Sequence, residues 1–189
     1  MTTVVVVRKN GRACIAADTL ARYGSTTERA AYIANHDKIV SVDDVFLAPT
    51  GPASCQLVLR SYFADAERPR AFGSVLEVFE TARSLHAALK QEYTLNPKEE
   101  ESDPFESLQM ELLICAPSGI YGVYPLRSVQ EYTRFYAFGS GTDIALGALH
   151  ACYDDAARPE DLALRALAAA AEFDDATAAP FTLRTVELR

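Results

Sequence analysis

The run Thr2-Thr3-Val4-Val5-Val6-Val7-Arg8-Lys9-Asn10-Gly11-Arg12-Ala13-Cys14-Ile15-Ala16-Ala17-Asp18 decides the fold. Asn-Gly between two apolar runs is the strongest short-range signal for a β-hairpin, because both central residues of a type I′ turn take positive φ. A hairpin is therefore predicted at the head of the sequence. Its strands are apolar almost without interruption, where a half-exposed strand would alternate, so both faces of the sheet are expected to be covered. Asp18 ends the second strand with a carboxylate, and antiparallel pairing brings it back beside Thr2.

Thr2 draws attention for a second reason. Met1 precedes a small residue, the arrangement in which removal of an initiator methionine is sterically easy, and its removal is expected. A threonine uncovered in this way carries both a hydroxyl and a free α-amine. With a reference pKa of about 7.7 to 8.0, a useful fraction of that amine is neutral near pH 7 and can take the hydroxyl's proton. Hydroxyl and amine then form an activated nucleophile and its base. Taken alone, a Thr-Thr start before an apolar run is as well explained by an ordinary strand.

Outward from the hairpin, composition narrows the field. The 189 residues fit one domain with a sizeable core, and 49% hydrophobic with 23% charged residues is an ordinary globular balance. A net charge of −8 with no basic stripe argues against nucleic acid or an anionic membrane as partner. Cys14, Cys55, Cys115 and Cys152 are far apart without CxxC spacing, which suits a reducing cytoplasm. Neither a secretory signal nor a membrane span is visible.

Further along, Lys38 to Val42 and Val45 to Ala48 read as strands around an Asp43-Asp44 turn. A first helix is predicted from Ala53 or Ser54 to about Glu67, with Leu57, Leu59, Tyr62 and Phe63 buried. Ser74 and Glu77 form a capping box ahead of a second helix carrying Val75, Leu76, Phe79, Ala82, Leu85 and Leu89 at helical spacing. His86 on that helix has no ligand partners at metal-site spacing, so no metal is assigned. Residues 94–107 read as a solvated acidic loop. Strands follow at Leu108 to Cys115, Ile120 to Pro125 and about Tyr132 to Phe138. Gly139-Ser140-Gly141 turns into a helix, and lacks the lysine of a phosphate-binding loop. The last helix opens at Pro159 and runs to Glu172, and Thr182 to Leu188 alternates as a terminal strand or intersubunit tail.

As a set, the opening from Thr2 to Gly11 followed by Asp18 resembles the mature N-terminus of HslV and of proteasome β-subunits, and a looser likeness runs over nearly the whole chain. It points to a bacterial proteasome-homologue branch distinct from typical HslV. The resemblance implies an N-terminal-nucleophile hydrolase: an α+β fold of four layers, αββα, in a single domain over residues 1–189. It implies Thr2 as nucleophile, with Asp18 and Lys38 beside it, although the segment before Lys38 is longer than in HslV and a solvated edge-strand lysine is the plain alternative. Ser140 is implied near the N-terminal amine. The oxyanion amide, usually that of a small residue such as glycine, is assigned to Ala48, since Pro49 has no N–H. The acid just beyond the last helix is assigned to Glu172, with Asp175 where a hydroxyl residue is common. An extended substrate is expected to add as a strand beside Arg22 and Ala48.

The activity so implied is that of a threonine peptidase, acting on unfolded polypeptide inside homo-oligomeric stacked rings, with no cofactor. An ATP-driven unfoldase partner is left open. Two rivals stand: a non-catalytic ring subunit that retains Met1, and a small-molecule amidase on the same fold.

Overall fold

The computed structural model describes residues 2–98 and 102–189; Met1 and the loop acids Glu99, Glu100 and Glu101 lie outside the described residues. The predicted hairpin forms from β1 (Thr3–Lys9) and β2 (Arg12–Asp18). Asn10 and Gly11 at its turn have φ of 52° and 76°, the double positive that a type I′ turn demands. The register sets Val4 opposite Ala17 and Lys9 opposite Arg12.

This hairpin forms the centre of a four-stranded antiparallel sheet. β10 (Phe135–Gly139) pairs with β1, and β11 (Phe181–Glu187) pairs with β2, placing Phe181 opposite Asp18. A second sheet holds five strands in chain order: β5 (Val40–Val42), β6 (Val45–Thr50), β7 (Glu111–Ala116), β8 (Gly119–Val123) and β9 (Val129–Tyr132). Between β2 and β5 lie a small hairpin of β3 (Ala21–Tyr23) and β4 (Thr26–Glu28) and one 3-10 turn.

The continuous apolar runs now have a cause. Val4, Val6, Ile15 and Ala17 face the other sheet and pack with Ala48, Leu113, Cys115 and Ile120. Val5, Val7, Cys14 and Ala16 face the opposite way, against α3 (Thr142–Cys152) and α4 (Pro159–Phe173). The second sheet's outer face is covered by α1 (Ser54–Ala64) and α2 (Val75–Gln91). Each strand of the opening hairpin is thus buried on both sides, and the layers stack as αββα.

Several details depart from the sequence reading. The strand expected at Tyr132 to Phe138 is two strands: a bend at Thr133 and Arg134 carries the chain from the edge of the second sheet to the edge of the first. No Gly or Pro marks the bend in this β-prone run, and across it Tyr132 stacks on Tyr136 at 4.3 Å while Tyr136 meets Phe138 edge-on at 5.5 Å. The strand expected from Leu108 begins only at Glu111, because Gln109 takes a positive φ of 56°. Ser74 caps α2 by accepting from the Glu77 amide at 3.3 Å, while the Glu77 carboxylate reaches back to the Gly73 amide at 2.7 Å. The buried stripe of α2 is Val78, Ala82, Leu85 and Leu89, leaving Val75 and Leu76 exposed; Leu57 of α1 is exposed as well.

All four cysteines are free thiols, three of them buried. Burial pushes Cys14 up to about 12 and Cys55 up to about 11, which suits small apolar fillers and not nucleophiles. Among the described residues no helix is long and apolar enough to cross a membrane.

Candidate active site

Thr2 precedes β1, and its position in the alternation matches that of Val4 and Val6, at the mouth of the space between the sheets. It is 6% exposed. Thr3 alternates to the helix side. These two adjacent residues tie into two different groups of side chains.

The first group gathers at the end of β2. Asp18 is wholly buried and accepts from the Thr3 amide at 2.9 Å, from the Leu20 amide at 2.9 Å and from Lys38 Nζ at 2.8 Å. Lys38 Nζ also donates to the Leu20 carbonyl at 2.7 Å. The lysine is therefore no solvated edge residue. Burial is the larger influence on both partners: it pushes the Lys38 ammonium down and the Asp18 carboxyl up from their ordinary values, while their mutual attraction opposes both shifts.

The second group comes from the turn after β10 and the segment after α4. The Ser140 amide donates to the Thr2 carbonyl at 3.0 Å, and the Gly141 amide donates to Thr3 Oγ1 at 3.0 Å. Ser140 Oγ donates to Asp174 Oδ2 at 2.7 Å, and Thr177 Oγ1 donates to the same oxygen at 2.5 Å. Thr3 Oγ1 lies 2.5 Å from Thr177 Oγ1, which closes the network. Partial burial raises the Asp174 carboxyl, but hydrogen bonds from Thr177, Ser140, the Ala176 amide and Thr3 outweigh it and hold the group below its ordinary value.

The carboxylate serving this second group is thus Asp174, and the assignment to Glu172 is corrected. Glu172 is exposed within the last turn of α4, whereas Asp174 caps that helix and is the first residue past it. Counting back from Phe181-Thr182-Leu183 gives Glu172, and the turn between α4 and β11 brings Asp174, two residues further on, to Ser140 instead. Asp175 serves elsewhere, in an ion pair with Arg22 that ties β3 to this segment.

Ala48 also needs correction. It is fully buried in mid-strand, in register with Leu113 and packed between the sheets. Gly51, the first residue after β6, has φ of +120° and lines two cavities that border Thr2. Pro49 had suggested that the strand ends before it. Instead β6 runs on to Thr50, because β5 has already stopped pairing at Leu47 and the missing proline donor faces no second neighbour.

Of the two cavities, one of about 300 Å³ lies against Thr2, Leu20, Arg22, Lys38, Pro49 and Gly51. The other, about 490 Å³, lies against Thr2, Thr50, Gly51, Glu111, Gly139 and Ser140. Thr2 forms a wall of each. His86 of α2, in contrast, is buried and hydrogen-bonded to Arg127. Among the described residues no group of three or more His, Cys, Asp or Glu side chains could hold a metal ion.

Gly139 fixes where Thr2 sits. Its φ is +106°, and a Cβ there would stand 1.7 Å from the Thr2 carbonyl oxygen, a backbone atom that cannot swing aside. Gly139→Ala is expected to displace Thr2, lowering Tm and reducing any Thr2-dependent rate by about 10²-fold, the usual cost of a misplacement near 1 Å. Paired thermal and kinetic measurements check this.

For Asp174→Asn, linkage sets the sign. A folded pKa below the unfolded one gives stability that is present above the unfolded value of 3.8 and is lost as pH falls through the folded value. The variant should be less stable than the parent at pH 7, and the two should converge below about pH 4. Urea titrations at pH 7 and pH 3 test it.

Four layers with a threonine at the mouth of the inter-sheet space define the fold of an N-terminal-nucleophile hydrolase of the proteasome type. No protein-family model and no curated protein sequence matches the chain. Among solved structures, Thiobacillus denitrificans BPH in complex with Epoxomicin is 43% identical with a TM-score of 0.92, each chain covered in full. BPH of the same organism in a second structure is 44% identical at a TM-score of 0.93, with 100% of this chain and 99% of that one covered. The chain belongs to this BPH family, the bacterial proteasome homologues of the HslV and proteasome β branch. Eukaryotic HslV from Trypanosoma brucei shares the fold at a TM-score of 0.68 and 18% identity, covering 98% of this chain and 99% of its own.

Proposed function

We propose that the protein is a threonine endopeptidase that hydrolyses unfolded polypeptides inside homo-oligomeric stacked rings in the cytoplasm. The observation that carries this reading is the position of Thr2: buried at the mouth between the sheets, with the Asp18–Lys38 pair on one flank, the Ser140–Asp174 pair on the other, and a cavity on each side.

Cleavage of the bond before Thr2 frees its α-amine. As Thr2 Oγ1 bonds to the substrate carbonyl carbon, its proton passes to that amine. A cationic Lys38 nearby disfavours protonation of the amine, lowering its pKa and keeping it available as a base near neutral pH. Asp18 holds Lys38 in place and fixes the Thr3 amide. The Gly51 N–H donates to the oxyanion of the tetrahedral intermediate, a contact worth about 3 kcal/mol in such sites. The C–N bond then breaks, and the amine passes its proton to the leaving nitrogen. Water gives a proton to the amine, attacks the resulting ester, and releases the acyl half while Thr2 Oγ1 regains its hydrogen. Ser140 and Asp174 orient the Thr2 backbone throughout. The substrate adds as a strand between Arg22 and Gly51, so that main-chain bonds give affinity across many sequences.

The test is hydrolysis by the assembled protein of unfolded casein, of a folded protein and of fluorogenic peptides, with and without Epoxomicin, the compound bound in the Thiobacillus structure. Casein and peptides should be cut, the folded protein spared and cutting stopped by Epoxomicin. Activity confined to acylated small molecules would identify an amidase instead. No hydrolysis by a chain already beginning at Thr2 would make it a scaffold.

A further inference from the structure

The larger cavity beside Thr2 carries a charge that the chemistry above does not use. Glu111 opens β7, and alternation puts it on the face of Leu113 and Cys115, pointing between the sheets at the mouth where Thr2 lies. Directly across the register is Thr50, whose Oγ1 donates to Glu111 Oε2 at 2.9 Å and so holds the carboxylate in place. Among the described residues lining this cavity, Glu111 alone bears a charge, beside Gln109, Met110, Pro125 and the Thr2 and Ser140 walls. At about 490 Å³ the space accommodates a long side chain.

The proton path orients a substrate across the two cavities. The leaving nitrogen must receive its proton from the Thr2 amine; of the side chains flanking Thr2, Lys38 repels the protonated amine, whereas Ser140 Oγ, which donates to Asp174, keeps lone pairs to accept from it. Ser140 and Gly139 line this cavity, whereas Lys38, Leu20 and Arg22 line the other. The leaving half of the peptide therefore lies over the Glu111 side. We infer that Glu111 reads the residue immediately after the scissile bond and selects lysine or arginine there. The stem of either side chain packs along Met110 and Pro125 while its cation meets the carboxylate. An acidic residue at the same place meets like charge.

This inference rests on the peptidase reading, and its test separates the two. Internally quenched peptides identical except for Arg, Gln or Glu after the cut are compared by kcat/KM with the assembled wild type, Glu111→Gln and Glu111→Lys, the cut position being verified by mass spectrometry. A fluorogenic amide with no residue after the cut reports on hydrolysis itself. Wild type should prefer Arg over Glu by about tenfold or more, with Gln between, and the preference should shrink as salt is raised. Glu111→Gln, which keeps an oxygen to accept from Thr50, should bring the ratio near one, and Glu111→Lys should invert it. A ratio equal in all three proteins overturns the inference and leaves the peptidase standing. If a variant fails to assemble, the wild-type order and its salt dependence decide alone, and a flat or reversed order overturns the inference. Failure of wild type to cut even the fluorogenic amide overturns both.

Discussion

Thr2→Ala is expected to lose peptide hydrolysis, kcat/KM falling by about 10⁴-fold or more, the scale seen when the nucleophile of an acyl-enzyme mechanism is deleted. The fold should survive the change. The hydrogen bond described for Thr2 runs through its backbone carbonyl to the Ser140 amide, and alanine keeps that carbonyl. Thr3, whose hydroxyl joins the Thr177 and Gly141 contacts, is untouched. A variant with parental Tm and ring size but no cutting is the predicted outcome. Equal rates for the two proteins would remove Thr2 from the chemistry, and loss of both fold and rate would leave its role as a nucleophile unsupported.

Lys38→Met is expected to cost both rate and stability. It deletes the cation that faces a carboxylate with no solvent exposure, leaving Asp18 with only the Thr3 and Leu20 amides as donors. Breaking a buried pair in this way costs about 3 to 5 kcal/mol, much more than a surface ion pair. The pH dependence follows from the direction of the Asp18 shift. Its folded pKa is raised above the ordinary value, so the folded form is favoured while the group is protonated and loses that advantage as pH rises through the folded pKa. Without Lys38 the shift grows. The deficit against the parent should be smallest below about pH 4 and should grow as pH rises toward neutrality. A deficit that is constant with pH would point to lost packing instead. The rate should fall along with stability, because the Thr2 amine loses the cation that keeps it unprotonated.

How far the sequence foretells this arrangement depends on whether a residue's role is local. The opening hairpin was legible because Asn10-Gly11 dictates its turn and uninterrupted apolar strands demand cover on both faces. Asp18 followed from antiparallel return, and the structure brings Lys38 onto it. Ser140 was assigned through the resemblance, since its Gly-Ser-Gly alone reads as a turn into a helix, and Gly139 beside it is required by the closeness of the Thr2 carbonyl. The errors that touch the site sit at element ends. Whether β6 stops at Ala48 or at Thr50 depends on how far β5 extends beside it, which Pro49 alone does not reveal. Glu172 rested on counting back from Phe181-Thr182-Leu183, and the length of the turn between α4 and β11, which decides which acid meets Ser140, is not legible from the residues between them. The split between β9 and β10 was hidden because Tyr132 to Phe138 is β-prone throughout, with no Gly or Pro at the bend. These three misses concern where one element hands over to the next, a matter settled by neighbours distant in the chain, whereas Leu57 was set on the wrong face of α1.

The intact mass of the protein while it is cutting peptide bears most directly on the account. The prediction is a polypeptide whose first residue is Thr2, every residue before it removed, in the same preparation that hydrolyses casein. Full hydrolytic rate from a chain still joined to the nitrogen of Thr2 would contradict it, since that nitrogen could then neither take a proton from Oγ1 nor return one to the leaving amine.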